Sequence, residues 1–262
     1  MGIINTTPDS FYADSRNQNL EETLRTANQM VQQGVDIFDI GGYSTRPGAE
    51  DISEEEEINR VIPVIKTLKE HFPSIPISLD TFRPMVAEKG IEVGANIIND
   101  ISGGSEVMYE IAAQSNTPYI LMHMRGTPQT MSELNQYKNL IGDVIQELSV
   151  KLETIYKCGV HDIIIDPGFG FAKNPQQNFK LLQELEYFTT LNHPLLAGIS
   201  RKSMIYKTLN KTAKDALYGT ISLNTIALMK GAQFLRVHDV EAAKDTIRMV
   251  EATFPRVEQQ SL

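Results

Sequence analysis

Short apolar runs alternate along the whole chain with longer stretches in which apolar residues recur every three or four positions. The first pattern reads as buried strands and the second as amphipathic helices. Strands are expected at residues 1–4, 35–40, 76–80, 95–100, 118–123, 162–166, 195–200 and 233–238. Helices are expected at 20–34, 53–68, 84–93, 106–114, 134–158, 174–188, 213–230 and 240–253. The helix at 53 has the clearest start, because Ser53 precedes Glu54, Glu55 and Glu56, a capping hydroxyl followed by acids in the first turn. Eight strands and eight helices in strict alternation predict a parallel sheet with helical crossovers.

Over 262 residues the natural architecture for that alternation is a closed α/β barrel, a single (β/α)8 domain spanning residues 1–262. The runner-up is an open doubly wound sheet, which would carry a glycine-rich turn after its first strand. Asn5-Thr6-Thr7-Pro8 stands there instead. Residues 219–231 are apolar all round the helix, so one face should pack on the barrel and the other on a partner, most simply a second copy of the chain.

Composition narrows the function. The net charge of −9 argues against nucleic acid or an anionic membrane as the main partner, so any anion site must be local. The lone Cys158 excludes an internal disulfide and a thiolate metal cluster. Neither a signal peptide nor a spanning segment is legible, which makes a soluble cytoplasmic protein the expectation.

Barrel active sites are built at the carboxyl ends of the strands. The run Ile163-Ile164-Ile165-Asp166-Pro167-Gly168 ends an apolar strand on a carboxylate, and its proline and glycine stop the strand there. The other strand ends supply Asn5, Asp39, Asp80, Asn99 with Asp100, His123, Ser200-Arg201-Lys202, and Arg236 with His238. Asp80, Asn99 and Asp166 can accept and donate along the edge of a flat heterocycle, such as a pterin or guanine-like ring. Lys202, Arg236 and His238, with the Asn5 amide, form a cationic group suited to a di- or triphosphate. His123 reads equally well as a satisfied histidine inside the barrel. The five histidines lack metal-binding spacing, so a Mg2+ held mainly by substrate phosphates, with Asn5 as one protein oxygen, suits the chain better than a protein cage.

Seven blocks now stand in order: Asn5-x-Thr7-Pro8-Asp9-Ser10-Phe11, Ser44-Thr45-Arg46-Pro47-Gly48, Asp80-Thr81, Asn99-Asp100-Ile101, Asp166 to Phe171, Ser200-Arg201-Lys202-Ser203, and Arg236-Val237-His238-Asp239. Together they resemble dihydropteroate synthase of folate biosynthesis. The resemblance implies a transferase that condenses 6-hydroxymethyl-7,8-dihydropterin pyrophosphate with p-aminobenzoate. It implies Asp80, Asn99, Ile101, Met122, Asp166, Phe171, Gly198 and Lys202 around the pterin, and Asn5, Arg236 and His238 with Mg2+ around the pyrophosphate. Thr45, Arg46, Pro47, Phe171, Lys202 and Ser203 are implied around p-aminobenzoate, where sulfonamides would compete. Asp80, Lys202, Arg236, His238 and Asn5 are the implied catalytic set. Tyr43 departs from the family, where an acidic residue is common. A related pterin barrel that transfers methyl groups to a corrinoid protein would share Asp80, Asn99 and Asp166 but has no use for the cations. A non-catalytic barrel should have lost some of them.

Overall fold

The computed structural model of the protein describes residues 1–6, 16–44 and 51–255, the side chains of 16–19 excepted. The strands among them are β1 (Gly2–Asn5), β2 (Phe38–Gly41), β3 (Ile77–Asp80), β4 (Ile97–Asp100), β5 (Tyr119–Met122), β6 (Ile163–Asp166), β7 (Leu195–Ala197) and β8 (Ala232–Leu235). The helices are α1 (Arg16–Gln32), α2 (Glu54–His71), α3 (Pro84–Glu92), α4 (Glu106–Gln114), α5 (Leu140–Lys157), α6 (Pro175–Gln183), α7 (Ser203–Thr208), α8 (Leu217–Met229) and α9 (Val240–Thr253). The strands run parallel in sequence order from β1 to β8. The ring closes where Gly2 bridges Val237, the Ile3 N–H donating to the Val237 carbonyl and the Val237 N–H to that of Met1, both at 2.9 Å. The fold is therefore a (β/α)8 barrel and not an open sheet, and its first strand, as long as most of the others, is paired on both sides.

Alternation along each strand divides the core in two. Phe38, Ile40, Ile77, Leu79, Ile98, Tyr119, Leu121, Ile163, Ile165, Leu195, Leu235 and Val237 face the helices in one large cluster. Ile97, Ile120, Ile164 and Leu196 form a second cluster, on the opposite face of the strands, that plugs the barrel interior. Above that plug the inward positions turn polar: Asp39, Ser78, Asp80, Asn99, Asp166 and Arg236. One sequence period thus puts grease outside the sheet and charge inside its mouth.

Several boundaries differ from those expected. The helix expected from 134 begins at Leu140, where the Asn139 side chain accepts the Gly142 N–H. A 3-10 turn at Met131–Glu133 precedes it, and Leu134 is exposed, so the early apolar positions belong to a loop. The helix expected over 174–188 stops at Gln183 and gives way to a 3-10 segment, Leu185–Leu191. The helix expected from 213 starts at Leu217. The six-residue α7 is an element the periodicity did not reveal, being too short to show one. No helix among the described residues is long and apolar enough to cross a membrane.

Candidate active site

The mouth is organised by one guanidinium. Arg236 follows β8, and its Nε donates to Asp39 Oδ2 and a terminal nitrogen to Asp80 Oδ2, both at 2.6 Å. Asp39 is fully buried on β2, and its other oxygen accepts from Ser78 Oγ at 2.7 Å and from the Asn99 amide at 3.2 Å. Burial alone would lower the Arg236 pKa, but the Asp39 and Asp80 carboxylates override it and hold the group above its ordinary value. Burial raises Asp80; Arg236 opposes that shift and neighbouring Asp39 reinforces it.

Asp166 ends β6, with Oδ1 accepting the Gly168 N–H at 2.8 Å. Burial raises its pKa, against the pull of Lys202, of that N–H and of Arg236. Lys202, in turn, is pushed down to about 8 by burial, with Asp166 opposing the shift. Its ammonium donates to the Phe169 carbonyl and lies 4.7 Å from the centroid of the Phe171 ring. Gly198 lies beside Asp166 and Arg236: a Cβ there would stand 3.7 Å from Asp166 Oδ2, 3.9 Å from Leu196 Cδ2 and 4.0 Å from Arg236 Cβ, all ordinary contacts.

Ile101, Met122, Met124, Met131 and Ala172 form a buried apolar wall at the rim, with Phe82 and Phe171 packed on it. The residues named from the resemblance as ring neighbours, Ile101, Met122 and Phe171, therefore share one cluster. His238 is fixed by Ser200, whose hydroxyl lies 3.0 Å from Nδ1 and accepts the His238 N–H at 3.2 Å. Ser203 opens α7 beside Lys202. Asn5 is exposed at the end of β1. Thr45, Arg46 and Pro47 lie outside the described residues.

The two residue groups inferred from sequence are not two separate halves, since Arg236 from the cationic set is paired with Asp80 from the ring-reading set. Asp100 and His123 do not join the mouth. Asp100 takes the Tyr119 hydroxyl at 2.6 Å and the Ser102 N–H at 2.7 Å. His123 is buried between Glu147 on α5 and Lys173, so the satisfied-histidine reading holds. Sequence reasoning gave Asp39 no role beyond its strand end, although its place between apolar Phe38 and Ile40 marks it as inward-facing. Lys173 lies seven residues beyond the end of β6, where no strand-end signal marks it. Tyr43 packs edge-on against Phe82, with the Arg83 guanidinium 5.2 Å from its ring centroid.

Among the described residues no group of three or more His, Cys, Asp or Glu side chains could hold a metal ion. Asp39 and Asp80 are engaged by Arg236, and the exposed Asn5 amide offers one oxygen. That donor set fits a Mg2+ whose remaining ligands are phosphate oxygens and water.

Residues 1–238 match the pterin binding enzyme family. A dihydropteroate synthase of Synechocystis is 45% identical over 258 residues, covering 96% of this chain and 89% of the relative. The chain belongs to the dihydropteroate synthase family. Solved structures agree. The Yersinia pestis family member, in complex with a sulfonamide drug, superposes with a TM-score of 0.90 at 39% identity, covering 97% of this chain and 92% of that one. The member from Clostridium difficile, in the presence of pteroic acid, gives 0.91 at 37% identity, covering 97% and 95%.

Proposed function

We propose that the mouth of this barrel joins 6-hydroxymethyl-7,8-dihydropterin pyrophosphate to p-aminobenzoate, releasing pyrophosphate and forming 7,8-dihydropteroate, the family's step in folate biosynthesis. The C9–O bond breaks, the arylamine nitrogen bonds to C9, and that nitrogen gives up a proton. In this reading Asp166 accepts two adjacent ring N–H donors. The Asn99 amide, its N–H held by Asp39, turns its oxygen to the same edge. Ile101, Met122 and Phe171 take the ring faces. Positive charge grows on the pterin as the leaving group departs, and Asp80 stabilises it electrostatically.

Two of the five N–H groups of Arg236 hold Asp39 and Asp80, and the remaining three, with His238 and Asn5, are the donors for the pyrophosphate. Mg2+ held by the pyrophosphate and Asn5 would neutralise the leaving anion. Lys202 lies between ring and leaving group, and with Ser203 and Phe171 it borders the p-aminobenzoate side. The family resemblance assigns Thr45, Arg46 and Pro47 to that side. Sulfonamides would compete there. The arylamine is already a nucleophile, so no strong general base is required.

One observation carries this reading: Arg236 bridges Asp39 and Asp80 on the same rim that holds Asp166 and Lys202. The test is to incubate purified protein with the dihydropterin pyrophosphate, labelled p-aminobenzoate and Mg2+. Labelled dihydropteroate should form, and Asp80→Ala or Arg236→Ala should lower turnover by orders of magnitude. Near-normal product from either variant would discard the assignment.

We also infer a cytoplasmic homodimer joined through α8 and α9. Thr220, Asn224 and Ala227 of α8 face inward, whereas Tyr218, Ile226 and Met229 are exposed, as are Met249 and Phe254 at the end of α9. An apolar surface of that extent marks an interface. A concentration-independent monomer mass in sedimentation would remove the dimer.

A further inference from the structure

Lys173 has no place in the chemistry above, yet its residue is only 8% exposed and its ammonium is fully coordinated. It donates to the Gly168 carbonyl at 3.1 Å, to the Phe171 carbonyl at 3.1 Å, and to His123 Nδ1 at 3.0 Å. His123 in turn donates from Nε2 to Glu147 on α5, at 3.0 Å. The three N–H groups thus tie both ends of the 168–171 turn to the end of β5.

The turn needs fastening. Gly168, Gly170 and Ala172 all have positive φ, so the backbone reverses hand repeatedly. It also lies hard against β5, since a Cβ on Gly168 would stand 1.9 Å from the His123 carbonyl oxygen. Asp166 and Phe171 flank this turn, one bonded to its Gly168 N–H and the other resting on the Met122 and Ile101 wall. On the mouth side Lys202 holds the Phe169 carbonyl. One lysine grips the turn from behind and another from the front. A cation buried this deeply is costly, and burial drives the Lys173 pKa down to about 7 despite the pull of Asp166.

We infer that Lys173 is a positioning residue for pterin recognition: it pins the 168–171 turn to β5 and so fixes the Asp166 carboxylate and the Phe171 ring against the heterocycle. The inference rests on the pterin assignment above. Lys173 also lends positive charge to Asp166, alongside Lys202 and Arg236. Without it, Asp166 takes up a proton at higher pH and stops accepting the ring N–H donors.

The experiment compares wild type with Lys173→Met, first confirming by thermal unfolding that the variant folds. Pteroic acid affinity is measured by calorimetry between pH 6 and 8, and KM is measured separately for each substrate. Pteroic acid should bind at least tenfold more weakly to the variant across this range. KM for the dihydropterin pyrophosphate should rise in parallel, while KM for p-aminobenzoate stays within twofold. A folded variant with wild-type pteroic acid affinity overturns the inference, as does a uniform fall in kcat with both KM values unchanged. Should Lys173→Met not fold, His123→Leu, which removes one acceptor of the ammonium, is read the same way. A pterin-selective loss supports the inference, and unchanged pterin affinity overturns it. Wild-type protein that binds no pteroic acid refutes the pterin assignment itself.

Discussion

A single residue can carry a charge state that its neighbours decide, and His123 shows how. It follows inward-facing Met122 by one position, so the strand period turns it outward into the helix layer, where Glu147 and Lys173 take its two nitrogens. Burial lowers its pKa to about 4, with the Glu147 contact only partly opposing the shift. The unfolded chain takes up a proton near the ordinary value of about 6.5, and the folded protein resists until about 4. His123 therefore contributes stability above the unfolded value that is lost as pH falls through this window, about 2 kcal/mol of it by pH 5. Glu147, held down to about 2 chiefly by its His123 contact, shifts stability the same way at lower pH. Urea unfolding at pH 7 and pH 5 should show this loss in wild type and a smaller one in His123→Gln. An equal loss in both would place the titrating group elsewhere.

Elements were legible where a local signal was strong and misread where it was weak. Asn174 caps α6 in a reciprocal box, its side chain accepting the Gln177 N–H while Gln177 accepts its own, at 2.9 and 2.8 Å. Asn174→Ala should cost about 1 kcal/mol in chemical denaturation, and an unchanged midpoint would mean the box is redundant. Before β6 the apolar period extends back to Leu134, six residues ahead of the helix, and only the Asn139 cap shows where the helix begins. Helix–sheet contacts were invisible in the sequence. Gly90 of α3 is an example: a Cβ there would fall 2.2 Å from Leu79 Cδ2 on β3. Gly90→Ala should destabilise by about 1–3 kcal/mol, and a neutral effect on the thermal midpoint would show that Leu79 can move aside.

At the scale of the whole molecule, Arg236 ties the last strand to the second and third, closing the ring with charge above the plug that closes it with hydrocarbon. Asp39→Asn removes a carboxylate from a guanidinium whose side chain is only 22% exposed. That change weakens a hydrogen bond to a charged group while Asp80 still pairs with Arg236, so it should cost about 2 kcal/mol of stability and lower turnover as well, because Arg236 loses the anchor that orients it. Full turnover with reduced stability would confine Asp39 to a structural role.

The sequence by itself determined the alternation of strands and helices, the barrel it implies, and which strand ends carry acids, amides or bases, because hydrophobic period and turn chemistry are local properties. It also carried enough motif to reveal the family. Only the tertiary structure decided which charges meet. Asp39 and Asp80 on their strands lie far along the chain from Arg236, which follows β8, and their pairing depends on the ring's closure and on which way each side chain faces. The strand period turns His123 and Asp100 away from the mouth, but what they meet there, and that Lys173 sits behind it, no spacing along the chain encodes.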